Sequence, residues 1–395
     1  MAVADVKGDK AEIWAPVQSP GGTREDVAKT LGIPEDNVTV NVTLLGGGFG
    51  RKSKCDFALE AALLSRELGA PVKVQWTRED DVRHDFLHTV SVERIEAGLD
   101  KNGKVIAWRH RSVAPSIAST FAAGANHQAP FELGMGLVDM PFEIANISCE
   151  NPEAAAFTRI GWFRSVSNIP RAFAVQSMVG EIAQATGRDQ KETLLALIGS
   201  PRIVKPAVKD MWNYGEPYDS YPIDTARLRK VVELVAEKGE WGRQVPKGHG
   251  LGIAVHRSFV SYIATIVEVA VDEKGKLTVP RVDTAIDCGT YVNPERIASQ
   301  MEGAAIMGLS VAKYGAITFK DGKVEQKNFD DFQVLRMDES PLVTNVYIVP
   351  PGPDTPPSGV GEPGVPPFAP ALMNAIFAAT GKRIRNLPLG KQLEA

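Results

Sequence analysis

The sequence has 395 residues, of which 44% are hydrophobic and 23% charged, and its formal net charge at pH 7 is −4. This length allows two or more domains with separate cores, and the charge balance excludes the basic surface expected of a nucleic-acid-binding protein. No apolar run reaches the roughly 18 residues needed to cross a membrane, and the first residues lack the pattern of an export signal.

Residues 1–130 are predicted to form an α/β domain. The expected elements are a strand at 11–14, a short helix near 23–31, a strand at 38–45, a helix at 55–68 that stops at Gly69, and a strand at 72–76. A hairpin at 89–108, turning at 100–103, completes this segment.

The rest of the chain is predicted to divide into a mainly helical and irregular segment, 131–245, and a second α/β segment, 246–395. Helices are expected at 172–186, 191–198 and 224–238 in the former. The latter should contain a hairpin of 263–271 and 277–286, a helix at 294–313 that starts at Asn293-Pro294, and a last helix at 366–380. The sequence therefore predicts an α+β fold with mixed sheets, in which strand–glycine-loop–helix units provide the candidate sites.

A glycine-rich loop, GGGFGR at 46–51, lies between the second predicted strand and the following helix. Glycine lets a backbone approach a ligand closely, and free N–H groups at a helix start favour oxyanions. The nucleotide-binding patterns do not fit, because Arg51 or Ser53 stands where each requires a glycine. The loop is either a tight turn or a ligand cradle, and the bulky Phe49 among the glycines favours a pocket wall.

A single carboxylate near the C-terminus, Glu362, is surrounded by small and rigid residues in the stretch PPSGVGEPGVPP at 356–367. The apolar helix that follows should be buried on nearly all sides. Its dipole favours the ionised carboxylate, whereas burial would raise the pKa and the basicity. Glu362 is therefore a candidate general base, and a solvated loop glutamate is the alternative.

Other residues with metal-binding or reactive side chains receive structural interpretations. His84 and His88 have the spacing of a zincin motif, but Asp85 replaces its glutamate and the segment lies between two strand patterns, which favours a polar connection. His249 and His256 are interpreted as structural. The three cysteines are too few for an iron–sulfur or zinc site and allow one disulfide bridge at most: Cys55, Cys149 and a buried Cys288.

The glycine loop and GVGE (359–362), in this order, resemble the molybdenum-binding subunit of the xanthine oxidase family. The similarity is strongest to the isoquinoline 1-oxidoreductase beta-subunit type, whose relatives include aldehyde and nicotinate dehydrogenases. It spans essentially the whole chain and includes WAPVQ at 14–18, WTREDD at 76–81, FRSV at 163–166, DCG at 287–289, NP at 293–294, QMEG at 300–303 and PALMNA at 370–375.

The resemblance implies a role for each matching residue. Glu362 would be the catalytic base, beside Gly361. Cofactor-binding positions would be Gln18, Gly47, Gly48, Phe49, Gly50, Arg51, Arg164 and Gln300. The implied cofactor is a molybdopterin cytosine dinucleotide carrying molybdenum with oxo and sulfido groups. The metal would be held by the pterin dithiolene, so no side chain is expected as a metal ligand.

The resemblance also implies a complex that oxidises an aldehyde or an N-heteroaromatic small molecule with oxygen from water. Electrons would pass to a subunit with [2Fe-2S] clusters, and a cytochrome c subunit could follow. Family subunits are longer, so we expect a half-subunit that needs the N-terminal part to hold the cofactor. The expected location is the bacterial periplasm or the periplasmic face of the inner membrane, with the cytoplasm as the alternative.

Two competing function classes follow from the same features. A non-catalytic structural or binding protein could keep this fold without a metal, but such a scaffold does not need the carboxylate of GVGE. A phosphate-binding NTPase fails on the missing glycines.

Overall fold

The computed structural model describes residues 1–206, 208–209 and 211–394. Its helices are α1 (Pro20–Leu31), α2 (Asp56–Leu68), α3 (Arg78–His84), α4 (Pro130–Leu133), α5 (Asn168–Thr186), α6 (Gln190–Ile198), α7 (Thr225–Lys238), α8 (Pro294–Tyr314) and α9 (Phe368–Thr380). Its strands are β1 (Ala2–Lys7), β2 (Lys10–Ala15), β3 (Val38–Val42), β4 (Val72–Val74), β5 (Val92–Leu99), β6 (Val105–Val113), β7 (Asn146–Glu150), β8 (His249–Ser258), β9 (Ser261–Val271), β10 (Leu277–Asp287), β11 (Phe319–Lys320), β12 (Lys323–Val324) and β13 (Val343–Ile348). The predicted α+β class is confirmed.

The first sheet has the strand order β3-β2-β1-β4, with β2 parallel to β3 and the other pairs antiparallel. Helices α1 and α2 cover one face, where their buried side chains join those of β1 and β2 in one core. Strand β1 was not predicted. It is β-patterned nonetheless, since Ala2, Ala4 and Val6 alternate into the core.

The second sheet has the order β5-β6-β7. The hairpin of β5 and β6 turns as predicted, because the side chain of Asp100 accepts the backbone N–H groups of Asn102 and Lys104. Strand β7 pairs in parallel with β6 and was not predicted. It lies at the sheet edge and its first three residues are exposed, so it carries no apolar alternation.

The third sheet has the order β13-β10-β9-β8 and lies at the centre of the molecule. On one face, α5, α6 and α7 form a core with inward side chains of β8 and β9. On the other face, α8 and α9 form a second core. Helix α9 lies very close to β8, because Gly250 and Gly252 have no side chain to hold its backbone away. Since the Glu362 turn leads into α9, this packing determines where the turn lies.

One sequence expectation is wrong in detail. The segment before His84 is helical, because Thr77 and Asp80 form a reciprocal capping box that starts α3. The helix expected at 55–68 is observed as α2, and a short 3-10 turn at Arg51–Ser53 lies between it and the glycine loop. The sequence signal for the start of α3 is polar and local, and it does not contribute to apolar periodicity.

The cysteines are free, so the disulfide bridge that the sequence allowed is not formed. None of the helices in the described part of the chain is long and apolar enough to cross a bilayer. Over the same residues, no three His, Cys, Asp or Glu side chains converge as metal ligands.

Candidate active site

Glu362 lies in a turn between β13 and α9, and its carboxylate is directed back into the protein. Its Oε1 accepts the backbone N–H of Ser165 at 2.8 Å, and its own carbonyl accepts the Ser165 hydroxyl at 2.6 Å. The side chain is half-buried, whereas Pro363 and the following residues are buried. Its other oxygen, Oε2, accepts no hydrogen bond from the described residues. One carboxylate oxygen is thus held and the other is available.

The electrostatic surroundings of Glu362 favour a basic carboxylate. Burial raises the pKa of Glu362 above its ordinary value, and the Ser165 N–H and the charge of Arg164 oppose this only in part. No positively charged side chain of the described residues lies within ion-pair distance of this carboxylate. A partly desolvated, unpaired carboxylate is the arrangement expected of a general base.

Arg164 connects the Glu362 turn to the glycine loop. Its backbone N–H donates to the Phe49 carbonyl at 3.0 Å, and its Nε donates to the Gly361 carbonyl at 2.7 Å. Its Nη2 donates to the backbone and side-chain oxygens of Gln300, both at 3.2 Å. The guanidinium is buried, which lowers the pKa of Arg164, and it lies 6.0 Å from the centre of the Phe49 ring. Three other predicted site residues, Phe49, Gly361 and Gln300, therefore contact this one arginine.

The glycine loop needs its glycines for close packing. A Cβ atom on Gly48 would lie 2.5 Å from Cδ of Gln18, and one on Gly50 would lie 2.5 Å from the Trp162 carbonyl oxygen. A Cβ on Gly47 would lie 2.6 Å from the Phe49 ring. Phe49 itself has a left-handed φ of 52°, and its ring remains 53% exposed. The loop thus holds a partly exposed apolar ring, and its role as a pocket wall stays a prediction.

Gln18 supports the loop with its side-chain oxygen, which accepts the Gly50 N–H at 3.0 Å. Its amide NH2 group faces no acceptor among the described residues. The N–H groups of Gly48 and Phe49 also have no acceptor within that part of the chain. Free donors from the loop and from Gln18 are the kind of group that binds an anionic, oxygen-rich ligand.

Arg51 is separated from these residues. Its guanidinium makes two hydrogen bonds with Asp56, at 2.9 and 3.0 Å, and a further ion pair with Asp85. The side chain therefore secures the start of α2, and only its backbone belongs to the loop. A cofactor role for Arg51 remains a prediction that its side-chain contacts do not favour.

Two strained corners hold the Glu362 turn. Ser165 and Val166 have φ values of 79° and 50°, and Phe259 and Val260, at the tip of the β8–β9 hairpin, have 50° and 55°. Such angles are rare outside glycine, and for a β-branched residue they mark backbone strain. The hairpin tip accepts the Gly359 N–H at its Phe259 carbonyl, 3.0 Å away. Both corners thus make direct hydrogen bonds to the residues around GVGE.

Two of the histidines considered in the sequence, His88 and His256, have structural partners. His88 lies beyond the end of α3 and contacts the carbonyls of Thr89 and Val166, at 2.8 and 3.0 Å, so it shares no helix face with His84. His256 contacts the Asn168 side chain at 2.8 Å.

Ser165 is the functional residue that sequence reasoning missed as a site member. The FRSV stretch indicated this region, but a serine there has no distinctive local pattern. Its partner Glu362 is 197 positions away in the sequence, so only the fold brings the two together.

Two protein-family models match separate parts of the chain. Models of the molybdopterin cofactor-binding domain match residues 1–194 and 224–341. The glycine loop and Arg164 lie within the first match, and Gln300 lies within the second. Glu362 lies beyond both matched ranges.

Curated relatives align with nearly the whole chain. It is 30% identical, over 98% of its length, to a membrane-bound aldehyde dehydrogenase (pyrroloquinoline-quinone) of Gluconacetobacter polyoxogenes, and covers 50% of it. It is 28% identical to a subunit of nicotinate dehydrogenase from Pseudomonas putida over 98% of the chain, covering 32% of that protein. It is 30% identical to the beta subunit of isoquinoline 1-oxidoreductase from Brevundimonas diminuta over 96% of the chain, covering 46% of it. The chain thus spans half the length, or less, of these relatives.

Solved structures share the fold. Quinoline 2-oxidoreductase from Pseudomonas putida 86 superimposes with a TM-score of 0.78 at 14% identity, over 99% of this chain and 73% of that one. The aldehyde oxidoreductase from Desulfovibrio gigas superimposes with a TM-score of 0.77 at 15% identity, over 99% and 58%.

Proposed function

We propose that this chain, which belongs to the xanthine oxidase family and contains its molybdopterin cofactor-binding domains, forms the base-bearing part of a molybdenum hydroxylase. The substrate would be an aldehyde or an N-heteroaromatic compound. The observation that carries this proposal is the half-buried carboxylate of Glu362, unpaired and with one free oxygen. It is connected through Arg164 to a glycine loop with free N–H donors.

The residues present fit such a cofactor. The loop backbone at Gly48 and Phe49 and the Gln18 amide offer neutral donors to its anionic oxygens, and Gln300 offers a polar side chain on α8. A Cβ atom on Gly48 would clash with the Gln18 side chain and one on Gly50 with the Trp162 backbone, so the loop can keep this packing only with glycine at these two positions. The cytosine dinucleotide form of the pterin belongs to this proposal.

When bound, the molybdenum centre would supply the two-electron oxidation and the activation of oxygen from water. Glu362 would accept the proton released in that activation at Oε2, while Oε1 stays bonded to the Ser165 N–H. Arg164 would hold the Gly361 carbonyl and the Phe49 carbonyl in fixed relation, and therefore the base and the loop. The exposed ring of Phe49 would exclude water from one side.

We further propose partners and a location. The three separated thiols of this chain do not provide a cluster site, so electrons would pass to a subunit with [2Fe-2S] clusters, and a cytochrome c subunit would be a further acceptor. The N-terminal part of the molybdenum subunit would complete the cofactor site. One relative is named as membrane-bound, which supports association with a membrane. The location that we propose is the bacterial periplasm or the periplasmic face of the inner membrane, with the cytoplasm as the alternative. Cell fractionation of the native producer would test this location.

The test is Glu362→Gln in the assembled complex, with Glu273→Gln in the exposed β9–β10 turn as the matched control. We expect the first variant to lose roughly 10²- to 10⁴-fold in kcat, the usual contribution of a general base, at unchanged molybdenum and pterin content. The control should keep full activity. Turnover retained by Glu362→Gln would exclude the base role.

Cofactor analysis of the same complex tests the class of enzyme. Molybdenum by mass spectrometry and the pterin by fluorescence after oxidation should both approach one per chain. Recovery of pyrroloquinoline quinone in place of pterin would refute the molybdenum proposal. A complex with neither group would support the non-catalytic protein of the same fold.

A further inference from the structure

Ser165 makes two hydrogen bonds to the same residue, Glu362. The backbone N–H of Ser165 holds one carboxylate oxygen, and its hydroxyl holds the backbone carbonyl. Ser165 is fully buried, so neither bond competes with bulk water. A single residue thus fixes both the side chain and the main chain of the candidate base.

The backbone at Ser165 is held in an unfavourable conformation that aims its N–H at the carboxylate. The left-handed φ values of Ser165 and Val166 would relax unless their neighbours opposed it. The Val166 N–H donates to the Phe163 carbonyl at 2.8 Å, and the His88 ring contacts the Val166 carbonyl at 3.0 Å. The corner is therefore fixed on both sides.

Asn168 holds the Ser165–Val166 corner through the Ser165 carbonyl. Its backbone N–H and its side-chain Nδ2 both donate to the Ser165 carbonyl, at 3.1 and 3.0 Å. Its Oδ1 accepts from the Tyr214 hydroxyl at 3.0 Å and contacts the His256 ring at 2.8 Å. This buried network fixes the orientation of the Ser165 peptide.

Arg164 does not perform this task, although it is adjacent. Its Nε and Nη2 donors are used by the Gly361 carbonyl and by Gln300. Within the described residues, the Ser165 N–H is the donor found on the Glu362 carboxylate. The orientation of that carboxylate therefore depends on Ser165.

We propose that Ser165 is the positioning residue for Glu362, holding Oε1 and the main-chain carbonyl so that Oε2 alone is presented to the proton it accepts. This inference rests on the proposed function for its catalytic meaning. The contact between the two residues can be tested independently of catalysis.

The informative variants are Ser165→Gly and Ser165→Ala, which both remove the hydroxyl. Glycine adopts a φ of 79° without strain, so this variant should fold even where alanine does not. The control is Ser167→Ala. The Ser167 hydroxyl is buried and has no hydrogen-bond partner among the described residues, so its loss should change neither readout.

The first readout is the reactivity of Glu362 with a carbodiimide and an amine, followed by peptide mass spectrometry across pH. It is measured on the assembled complex prepared from molybdate-free medium. The N–H bond to Oε1 lowers the pKa of Glu362, so loosening the corner should raise this pKa. Labelling near neutral pH should then increase up to about tenfold relative to the unchanged complex and to Ser167→Ala.

The second readout is the pH profile of kcat/KM in the molybdenum-loaded complex. The base must be ionised, so activity is lost below its pKa. A raised pKa moves the acid limb to higher pH by the same amount. We expect kcat to fall and KM to change little, because substrate contacts are untouched.

Labelling and acid limbs in both Ser165 variants that match those of Ser167→Ala would overturn the positioning role. The proposed function can fail separately: if Glu362→Gln retains turnover, the base assignment is lost. In that case a shift in carbodiimide labelling still reports whether Ser165 controls the carboxylate.

Discussion

The close packing of α9 on β8 makes Gly252→Ala an informative perturbation. A Cβ atom at Gly252 would lie well under 3.0 Å from the Ala371 carbonyl oxygen and the Ala375 nitrogen, both in the backbone of α9. Backbone atoms of a buried helix cannot move aside as a flexible side chain does. The methyl group can be accommodated only if α9 moves away from the sheet.

The magnitude follows from that displacement. Ordinary contact begins at 3.4 Å, so α9 must withdraw by roughly 1 Å, which loosens contacts along its whole buried face. Overpacking that side chains can absorb costs about 1–3 kcal/mol, so a backbone clash should cost about 3 kcal/mol or more. At about 2.1 cal/mol/K of unfolding entropy per residue, this lowers Tm by roughly 4 °C or more for a chain of this length.

The assay is calorimetric or circular-dichroism melting of Gly252→Ala beside Gly303→Ala. Gly303 lies in α8 and a Cβ there meets nothing within 4 Å, so alanine should be neutral or stabilise by up to about 1 kcal/mol. An unchanged Tm for Gly252→Ala, or equal shifts for both variants, would refute the argument that α9 depends on a bare backbone at β8.

Three further predictions concern buried polar groups. Burial lowers the pKa of His256 to about 3, so the unfolded chain, with a pKa near 6.5, binds the proton first and stability is lost as pH falls from about 6.5 towards 3. His256→Gln should therefore move the acid-unfolding midpoint to lower pH. Asp139, whose pKa is raised to about 6, favours the folded state as pH falls below 6 and so partly offsets the destabilisation caused by His256. Asp287→Asn leaves Arg227 without its ion-pair partner and should cost about 3 kcal/mol in urea unfolding, whereas Asp36→Asn, at a 95% exposed side chain, should cost less than about 1 kcal/mol. Burial raises the pKa of Cys55 to about 12 and the pKa values of Cys149 and Cys288 to about 11. An aromatic disulfide reagent at pH 8 should therefore react with these three thiols only after the protein has unfolded.

The sequence predicted most helices because their apolar spacing and end signals are local. The expected helix at 294–313 is observed at Pro294–Tyr314, and Asn293 caps it by accepting the Arg296 N–H. The last helix ends, as expected, at Gly381, which adopts a left-handed φ of 72°. Strand β7 was missed because what stabilises it is a parallel neighbour, β6, more than thirty residues earlier, and not its own pattern.

The candidate site was predictable only as separate parts. Glycines around Phe49 and a carboxylate among prolines and glycines are visible in the sequence, since both are unusual for ordinary turns. Arg164 was predicted as a site residue only through the resemblance, and Ser165 was not predicted as one. Their roles depend on hydrogen bonds between residues far apart in the sequence, up to 197 positions, and no local pattern encodes these.

The basicity of Glu362 is therefore a property of the assembled fold and not of the GVGE turn. Burial raises its pKa, whereas the Ser165 N–H lowers it. We expect the burial to depend on α9, which follows the turn directly and whose position depends on the bare backbone at Gly252. In the isolated turn the carboxylate would be solvated and would titrate like any exposed glutamate. A change that loosens α9 without unfolding the chain should thus return the pKa of Glu362 towards its ordinary value, and carbodiimide labelling near neutral pH should fall in Gly252→Ala, opposite to the increase expected for Ser165→Gly. Equal directions of change would show that burial and the Ser165 contact are not separate influences on the base.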